Sequence, residues 1–208
     1  MAQLFHIHPE HPQPRLIKQA AEIARGGGLI ALPTDAAYSL AGVAGYAPLL
    51  ERIRRIRGVD DRHHFTLMCR DLSEIATYAR VDNSQYRLLK ATTPGSYTFI
   101  LEGTRELPRR LLHPKRKTIG LRVPDHPLAL ALLEELDEPL LTSTLILPGS
   151  DAPLADADEI RERLEKLLDL VIDAGRCGTA MTTVINLTGA QPELVRAGQG
   201  SLAPFGLD

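Results

Sequence analysis

Short apolar segments alternate along this chain with stretches of helical periodicity, and this alternation limits the fold more than any other feature. Residues 29–32 are apolar and lie between three glycines and Pro33, as a buried strand would. Similar segments predict seven further strands, over residues 65–69, 97–101, 118–123, 140–145, 170–172, 182–187 and 193–196. Strands that alternate with helices are typical of an α/β domain.

The helices are predicted from apolar rows and from capping pairs. Two rows have helical spacing, namely Leu16, Ala20, Ile23 and Ala24, and Leu49, Leu50, Ile53 and Ile56. Two pairs have the spacing of a capping box, namely Asp71 with Glu74 and Asp156 with Glu159, and Asp125 before His126-Pro127 resembles a further helix start. The connection over residues 188–191 is too short for a parallel crossover, so we expect a mixed sheet.

The composition is that of a globular protein. The 208 residues are 44% hydrophobic and 24% charged, and without an evident linker or repeat they predict a single domain over residues 1–208. No apolar run approaches the ~20 residues that span a bilayer, and the first residues do not resemble a secretory signal. Cys69 and Cys177 lie far apart, which fits a reducing compartment, so we expect a cytoplasmic protein without membrane contact.

The charges are distributed unevenly. The net charge is −2, yet the basic segment from Arg105 to Arg122 holds seven basic residues and one acid, Glu106. Such a segment can form a positive face that attracts phosphates, or it can be a solvated loop. Aromatic residues are 4% of the chain and tryptophan is absent, which argues against an aromatic platform for stacking nucleic-acid bases.

Several known catalytic and binding motifs are absent. The chain has no phosphate loop of the form Gly-x4-Gly-Lys-Ser/Thr and no Gly-x-Ser-x-Gly nucleophile turn. His6 and His8 could face a metal ion together, but the sequence has no paired cysteine or carboxylate cluster beside them, and we expect exposed histidines. We therefore predict no metal site and no permanently bound cofactor.

Polar groups follow the predicted strands and one helix. Residues 33–40 follow the first strong strand, Arg55-Ile56-Arg57 ends a helix, and Thr142-Ser143-Thr144 ends a buried strand. Ligands of α/β sheets bind at such strand ends. Each segment also has a structural explanation. Residues 33–40 can be a capped turn, the two arginines can compensate the helix dipole, and the hydroxyls of residues 142–144 can bind the backbone.

Taken together and in order, these segments resemble the YrdC/YciO family, and its YciO branch most closely. The similar stretches are Pro33-Thr34-Asp35-x-x-Tyr38-x-Leu40, Arg55-x-Arg57, Pro94-Gly95-x-x-Thr98-Phe99, Arg122-Val123-Pro124, Thr182-Thr183-Val184 and Arg196-x-Gly198. The resemblance covers almost the whole chain. It implies an α/β domain whose strongly twisted mixed sheet, flanked by helices, carries a concave, positively charged cavity.

The resemblance also implies ligands and contact residues. Synthases of the family make threonylcarbamoyl-adenylate from threonine, bicarbonate and ATP for a tRNA modification, and members are described as binding double-stranded RNA. The implied nucleotide or phosphate contacts are Arg55, Arg57, Thr144, Thr182, Thr183 and Arg196. The implied substrate pocket comprises Thr34, Tyr38, Thr98 and Arg122. The basic segment adds a predicted RNA-binding patch of Arg109, Arg110, Lys115, Arg116 and Lys117.

The chain departs from the family's synthases around the nucleotide site. Thr144-Leu145-Ile146 replaces Ser-x-Asn, Arg55 replaces a lysine, and Ala36 and Ser39 replace a threonine and a glycine. Isoleucine offers none of the hydrogen bonds of asparagine. We therefore expect a module that binds nucleotide, and double-stranded RNA or tRNA, without making the adenylate. The alternatives are an active synthase that uses ATP with magnesium, or an enzyme that hydrolyses the same threonylcarbamoyl group.

Overall fold

The computed structural model describes residues 1–60 and 63–207, which form one ten-stranded sheet with helices on both faces. The strands are Gln3–His6 (β1), Ile30–Leu32 (β2), Ser39–Val43 (β3), Thr66–Met68 (β4), Tyr97–Glu102 (β5), Thr118–Arg122 (β6), Leu140–Thr144 (β7), Leu170–Asp173 (β8), Thr183–Asn186 (β9) and Glu193–Arg196 (β10). The helices are Pro14–Arg25 (α1), Ala47–Arg57 (α2), Leu72–Tyr78 (α3), Asn83–Thr92 (α4), Pro127–Leu136 (α5) and Ala157–Leu164 (α6).

The sheet mixes parallel and antiparallel pairs, with the strand order β1-β8-β2-β3-β7-β4-β6-β5-β9-β10. The pairs β1/β8, β2/β8, β4/β6 and β5/β9 are parallel, and the others are antiparallel. The short connection over residues 188–191 joins β9 to β10 as an antiparallel pair. The predicted single-domain α/β fold with a mixed sheet is therefore confirmed.

Helices cover the sheet from both sides. Alternate residues of a strand point to opposite faces, so Leu140 and Leu141 belong to different apolar clusters. Leu140 lies with residues of α1 and α5, whereas Leu141 lies with residues of α2, α3, α4 and α6. Where helices cover both faces of the sheet, the middle strands are thus apolar on both faces.

Local signals start two helices as predicted, and a glycine ends a third. The carboxylates of Asp71 and Asp156 accept hydrogen bonds from the backbone N–H groups of Glu74 (2.8 Å) and Glu159 (3.0 Å), which satisfies groups left free at a helix start. Helix α2 ends at Gly58, whose φ of +61° lies in the left-handed region that glycine adopts without strain. The stop at Gly58 leaves Arg57 as the last residue of the helix.

Three elements were not predicted, namely β1, β3 and α4. Strand β1 lies at the edge of the sheet with its end residues exposed, so it lacks a buried apolar run. Strand β3 is buried throughout and consists largely of small residues, which give little periodicity. Helix α4 begins with a complete capping box between Asp82 and Gln85. None of the helices within residues 1–60 and 63–207 combines the length and the apolar composition that a transmembrane span requires.

Candidate functional site

A cavity of about 530 Å3 lies against the middle of the sheet, and strands β3, β4, β5, β6, β7 and β9 all contribute to its wall. The strand register pairs Thr66 with both Gly120 and Thr142, so these three residues lie side by side on one face. Small or hydroxyl-bearing residues line this part of the cavity, namely Ser39, Thr66, Thr98, Gly120 and Thr142. Because these side chains are short, the sheet leaves room for a ligand.

Arg57 enters the cavity from the last turn of α2 and is half-buried. Its Nε donates to Ser143 Oγ (3.2 Å) and its Nη1 donates to the backbone oxygen of Ile146 (2.6 Å). Burial lowers the pKa of the Arg57 guanidinium, and the positive charge of Arg196 lowers it further. Neutral groups thus hold this guanidinium in place, and its charge remains to be balanced by an anion.

Arg196 lines the cavity from β10. Its Nη2 donates to the backbone oxygen of Thr182 (2.9 Å) and to Thr182 Oγ1 (3.2 Å). The Thr182 hydroxyl in turn shares a hydrogen bond with Thr98 Oγ1 (2.9 Å). Within the described ranges, neither Arg57 nor Arg196 has a carboxylate partner, and no Asp or Glu lines the cavity. Two fixed cations therefore share one cavity whose described lining holds no carboxylate.

The third cavity arginine, Arg122 of β6, forms an ion pair with Asp35. The two side chains are 5% and 9% exposed, and Ser96 Oγ donates a further hydrogen bond to Asp35 (2.6 Å). Burial lowers the pKa of Arg122, while Asp35 opposes this effect. The Arg122 Nε is buried and has no hydrogen-bond partner among the described residues. This pair fixes the wall of the cavity and neutralises one of its three arginines.

His63 and Ser143 form a contact for which sequence reasoning predicted no role. His63 Nε2 lies 3.2 Å from Ser143 Oγ, and both residues line the cavity. Burial lowers the pKa of His63 to about 4, and the charge of Arg57 adds to this shift. At neutral pH the imidazole is therefore uncharged. The two residues are 80 positions apart, so no local sequence pattern could have paired them.

The structure brings Arg57, Thr98, Arg122, Thr144, Thr182 and Arg196 to the cavity wall. The other predicted ligand contacts lie elsewhere. Arg55 lies on the exposed side of α2. The Thr183 side chain is fully buried, and its hydroxyl donates to the backbone oxygen of Gly200 (2.7 Å). Ligand contact by either residue stays a prediction that the geometry does not support.

Thr34 and Tyr38 also lie outside the cavity wall. The Thr34 hydroxyl donates to the backbone oxygen of Ala37 (2.7 Å) and closes a turn. Tyr38 is fully buried, its hydroxyl donates to the backbone oxygen of Ile172 (2.9 Å), and burial raises its pKa. In this structure the segment after β2 orients Asp35 towards Arg122, while its threonine and tyrosine stabilise the segment itself.

The predicted RNA-binding patch divides between two places. Arg109 and Lys117 line a second opening of about 750 Å3, the basic cleft, whose titratable residues are Arg80, Arg105, Arg109, His113 and Lys117. Arg110 instead donates to the backbone oxygen of Gly45 (2.9 Å), and Lys115 and Arg116 are exposed. The ring of His113 stacks on His64 of the cavity wall at 4.7 Å. The cavity and the basic cleft therefore meet at this histidine pair.

No group of three or more His, Cys, Asp or Glu side chains within residues 1–60 and 63–207 could hold a metal ion. Hydroxyls, guanidinium groups and imidazoles dominate the polar lining of the cavity. Guanidinium groups bind phosphate and carboxylate through charge-assisted hydrogen bonds. The arrangement is thus suited to an anionic ligand.

Comparison with known proteins supports this view of the fold. The protein YciO of Escherichia coli K12 is 56% identical over 205 residues, covering 99% of this chain and 100% of that protein. The crystal structure of E. coli YciO matches with a TM-score of 0.95, over 99% of this chain and 100% of that one. The crystal structure of P. abyssi Sua5 complexed with L-threonine is 25% identical and matches with a TM-score of 0.86, over 95% of this chain and 58% of that one.

The human threonylcarbamoyl-AMP synthase is 30% identical over 162 residues, which are 78% of this chain and 57% of that enzyme. The chain thus spans little more than half of this synthase and of Sua5. The family model Sua5/YciO/YrdC, described as telomere recombination, matches residues 22–198. The match covers most of the chain and agrees with the sequence resemblance and with the sheet described above, so this protein belongs to the Sua5/YciO/YrdC family.

Proposed function

We propose that the cavity binds a nucleotide, with Arg57 and Arg196 at its phosphate groups. The observation that carries this proposal is the pair of half-buried guanidinium groups in one cavity whose described lining has no carboxylate. Arginine suits phosphate because its planar fork can donate two parallel hydrogen bonds. The hydroxyls of Thr98, Thr144 and Thr182 supply neutral partners for the sugar or for a bound amino acid.

The relatives support the same class of ligand. The human relative is named a threonylcarbamoyl-AMP synthase, and the P. abyssi Sua5 crystal contains L-threonine. Thr98 and Thr182 share a hydrogen bond on the cavity wall, where their hydroxyls can serve as neutral contacts for an amino acid. A nucleotide and threonine, or a compound that joins them, are therefore the ligands that we propose to test.

Full synthase activity is not the function that we favour. Ile146 lines the cavity, where the synthase motif has an asparagine, and its side chain can neither donate nor accept a hydrogen bond. A hydrogen bond from a neutral amide contributes about 0.5–1.5 kcal/mol, so its loss costs roughly two- to tenfold in affinity. We propose a protein that holds the nucleotide but converts ATP slowly, with magnesium entering only as a companion of ATP.

Double-stranded RNA or tRNA is a second proposed ligand, bound along the basic cleft. The observation in its favour is that the basic cleft meets the cavity at His64 and His113, so one nucleic acid could contact both. Exposed arginines and lysines contact phosphates without reading bases, and double-stranded RNA is recognised mainly by its shape and backbone. We therefore expect weak sequence preference.

Two measurements on the purified protein test the proposed nucleotide binding and the proposed low synthase activity. Calorimetry with ATP and with AMP should detect binding, and the absence of binding to either would contradict the proposed function. Incubation with threonine, bicarbonate and ATP–magnesium should release pyrophosphate far more slowly than a family synthase does under the same conditions. Release at the rate of that synthase would instead establish the alternative, an active synthase.

A further inference from the structure

We propose that Ser143 and His63 form a nucleophile–base pair that hydrolyses a mixed anhydride between a carboxylic or carbamic acid and a phosphate. The proposal rests on the proposed function for one point, namely that Arg57 binds a phosphate. Everything else follows from the arrangement of Arg57, Ser143 and His63.

The hydrogen bonds at Ser143 have a definite direction. Arg57 Nε can only donate, so the Ser143 oxygen accepts that bond at 3.2 Å. The Ser143 proton then points to its other neighbour, His63 Nε2, which accepts it at 3.2 Å when the imidazole is neutral. A serine whose hydroxyl donates to a neutral histidine and accepts from a cation has the surroundings of an activated nucleophile.

The surroundings of His63 favour its neutral form. Burial lowers the pKa of the imidazole most, Arg57, His64 and Arg54 lower it further, and Asp60 acts in the opposite direction. Phe65 packs against the ring edge-on at 5.1 Å. Within the described part of the chain, these are the titratable groups that shift the pKa of His63, and Phe65 is its aromatic neighbour. His63 can therefore accept a proton throughout the neutral range.

The position of Arg57 selects the chemical class of substrate. The same guanidinium that contacts Ser143 Oγ would hold the phosphate, so the phosphate and the nucleophile share a neighbour. In a mixed anhydride the carbonyl carbon is separated from phosphorus by a single bridging oxygen. A phosphate bound at Arg57 thus brings that carbon within reach of Ser143, whereas the carbonyl of a longer linkage would lie beyond it.

The reaction proceeds in two balanced steps. Ser143 Oγ attacks the carbonyl carbon and its proton passes to His63 Nε2, the bond from carbon to the bridging oxygen breaks, and the phosphate leaves with that proton. Water then attacks the ester on Ser143 and gives a proton to His63, and the acid leaves as Ser143 regains its proton. Arg57 balances the charge of the departing phosphate, and no further reactant is needed.

Acetyl phosphate is a suitable probe, since it is a small mixed anhydride. Phosphate release by the intact protein should exceed release by Ser143→Ala and by His63→Gln at least ~100-fold, because glutamine can keep a hydrogen bond but cannot accept the proton. In water enriched in oxygen-18, the label should enter acetate rather than phosphate. The rate should fall as the pH drops towards about 4, where His63 becomes protonated.

The exposed Ser150→Ala variant is the matched control and should release phosphate as the intact protein does. Equal rates for the intact protein and Ser143→Ala, or label in phosphate, would overturn the proposal. Calorimetry with ATP on the same samples separates the two proposals. If ATP binds while phosphate release is independent of Ser143 and His63, the hydrolytic pair fails alone; if ATP does not bind, the proposed function fails.

Discussion

The cavity and the basic cleft both present arginines, but the cavity fixes its side chains and the cleft leaves them exposed. Arg57 and Arg196 are half-buried, and each donates to one backbone oxygen and to one hydroxyl. Arg105, Arg109 and Lys117 of the basic cleft are exposed, and their side chains make no hydrogen bond or ion pair within the described part of the chain. The two regions thus both hold positive charges, but under different constraints.

This difference predicts different kinds of binding. A fixed charge in a partly desolvated cavity interacts strongly and loses little side-chain freedom when a ligand arrives. Exposed charges are screened by salt within about 10 Å at ordinary ionic strength, and their side chains must be ordered on binding. We therefore expect a selective, moderately salt-sensitive site in the cavity and an unselective, strongly salt-sensitive one at the cleft.

The largest expected effect comes from breaking the buried ion pair in the cavity wall. Asp35→Ala leaves the Arg122 guanidinium buried without its carboxylate. Breaking such a pair costs about 3–5 kcal/mol in free energy of unfolding, which denaturant titration can measure. The exposed Asp151→Ala variant should change that free energy by less than ~0.5 kcal/mol. A loss below ~1 kcal/mol for Asp35→Ala would mean that water replaces the pair.

The next largest effect is expected on ATP affinity when the charge of Arg57 is removed from the cavity. Arg57→Ala should weaken ATP binding about ten- to a hundredfold, since a charge-assisted hydrogen bond contributes about 1.5–3 kcal/mol. Calorimetry at constant salt measures this change. Arg15→Ala on the exposed side of α1 is the control and should bind ATP as the intact protein does. Unchanged ATP affinity in Arg57→Ala would remove Arg57 from the nucleotide site.

A smaller change in ATP affinity, this time a gain, should follow from placing an amide side chain in the cavity. Ile146→Asn should tighten ATP binding about three- to tenfold, because asparagine supplies donors that isoleucine lacks. Ile146→Leu keeps an apolar side chain of similar volume and should leave the affinity unchanged. Equal affinities for the two variants would show that the departure from Ser-x-Asn does not limit nucleotide binding.

The smallest change in affinity per substituted residue is expected for RNA binding by the basic segment. In a titration of short duplex RNA at several salt concentrations, changing Lys115, Arg116 and Lys117 to alanine should weaken binding at low salt. It should also flatten the salt dependence, since each lost phosphate contact removes about 0.9 from the log–log slope on B-form duplex. ATP affinity should stay unchanged. Identical slopes, or no RNA binding at low salt, would contradict RNA binding by this segment.

Local sequence signals were enough to predict most of the elements. The aspartates at the starts of α3 and α6 each cap a backbone group three residues further along the chain, so these signals can be recognised without knowledge of the fold. The apolar strands β2, β5, β6 and β7 are equally local, because a buried strand needs a short apolar run. Strand β1 carries no such run and becomes a strand only by pairing with β8.

The α/β class, most element positions and the polar segments at the strand ends can all be recognised in the amino-acid sequence. Which of those polar side chains reach the cavity depends on the packing of distant elements. Thr182 and Thr183 are adjacent and chemically alike, yet one hydroxyl meets Arg196 and Thr98 while the other donates to the backbone of Gly200. Neighbouring strand residues face opposite sides, and which side is the cavity depends on distant pairing. For the same reason, the contact between His63 and Ser143 follows from strand order rather than from any local pattern.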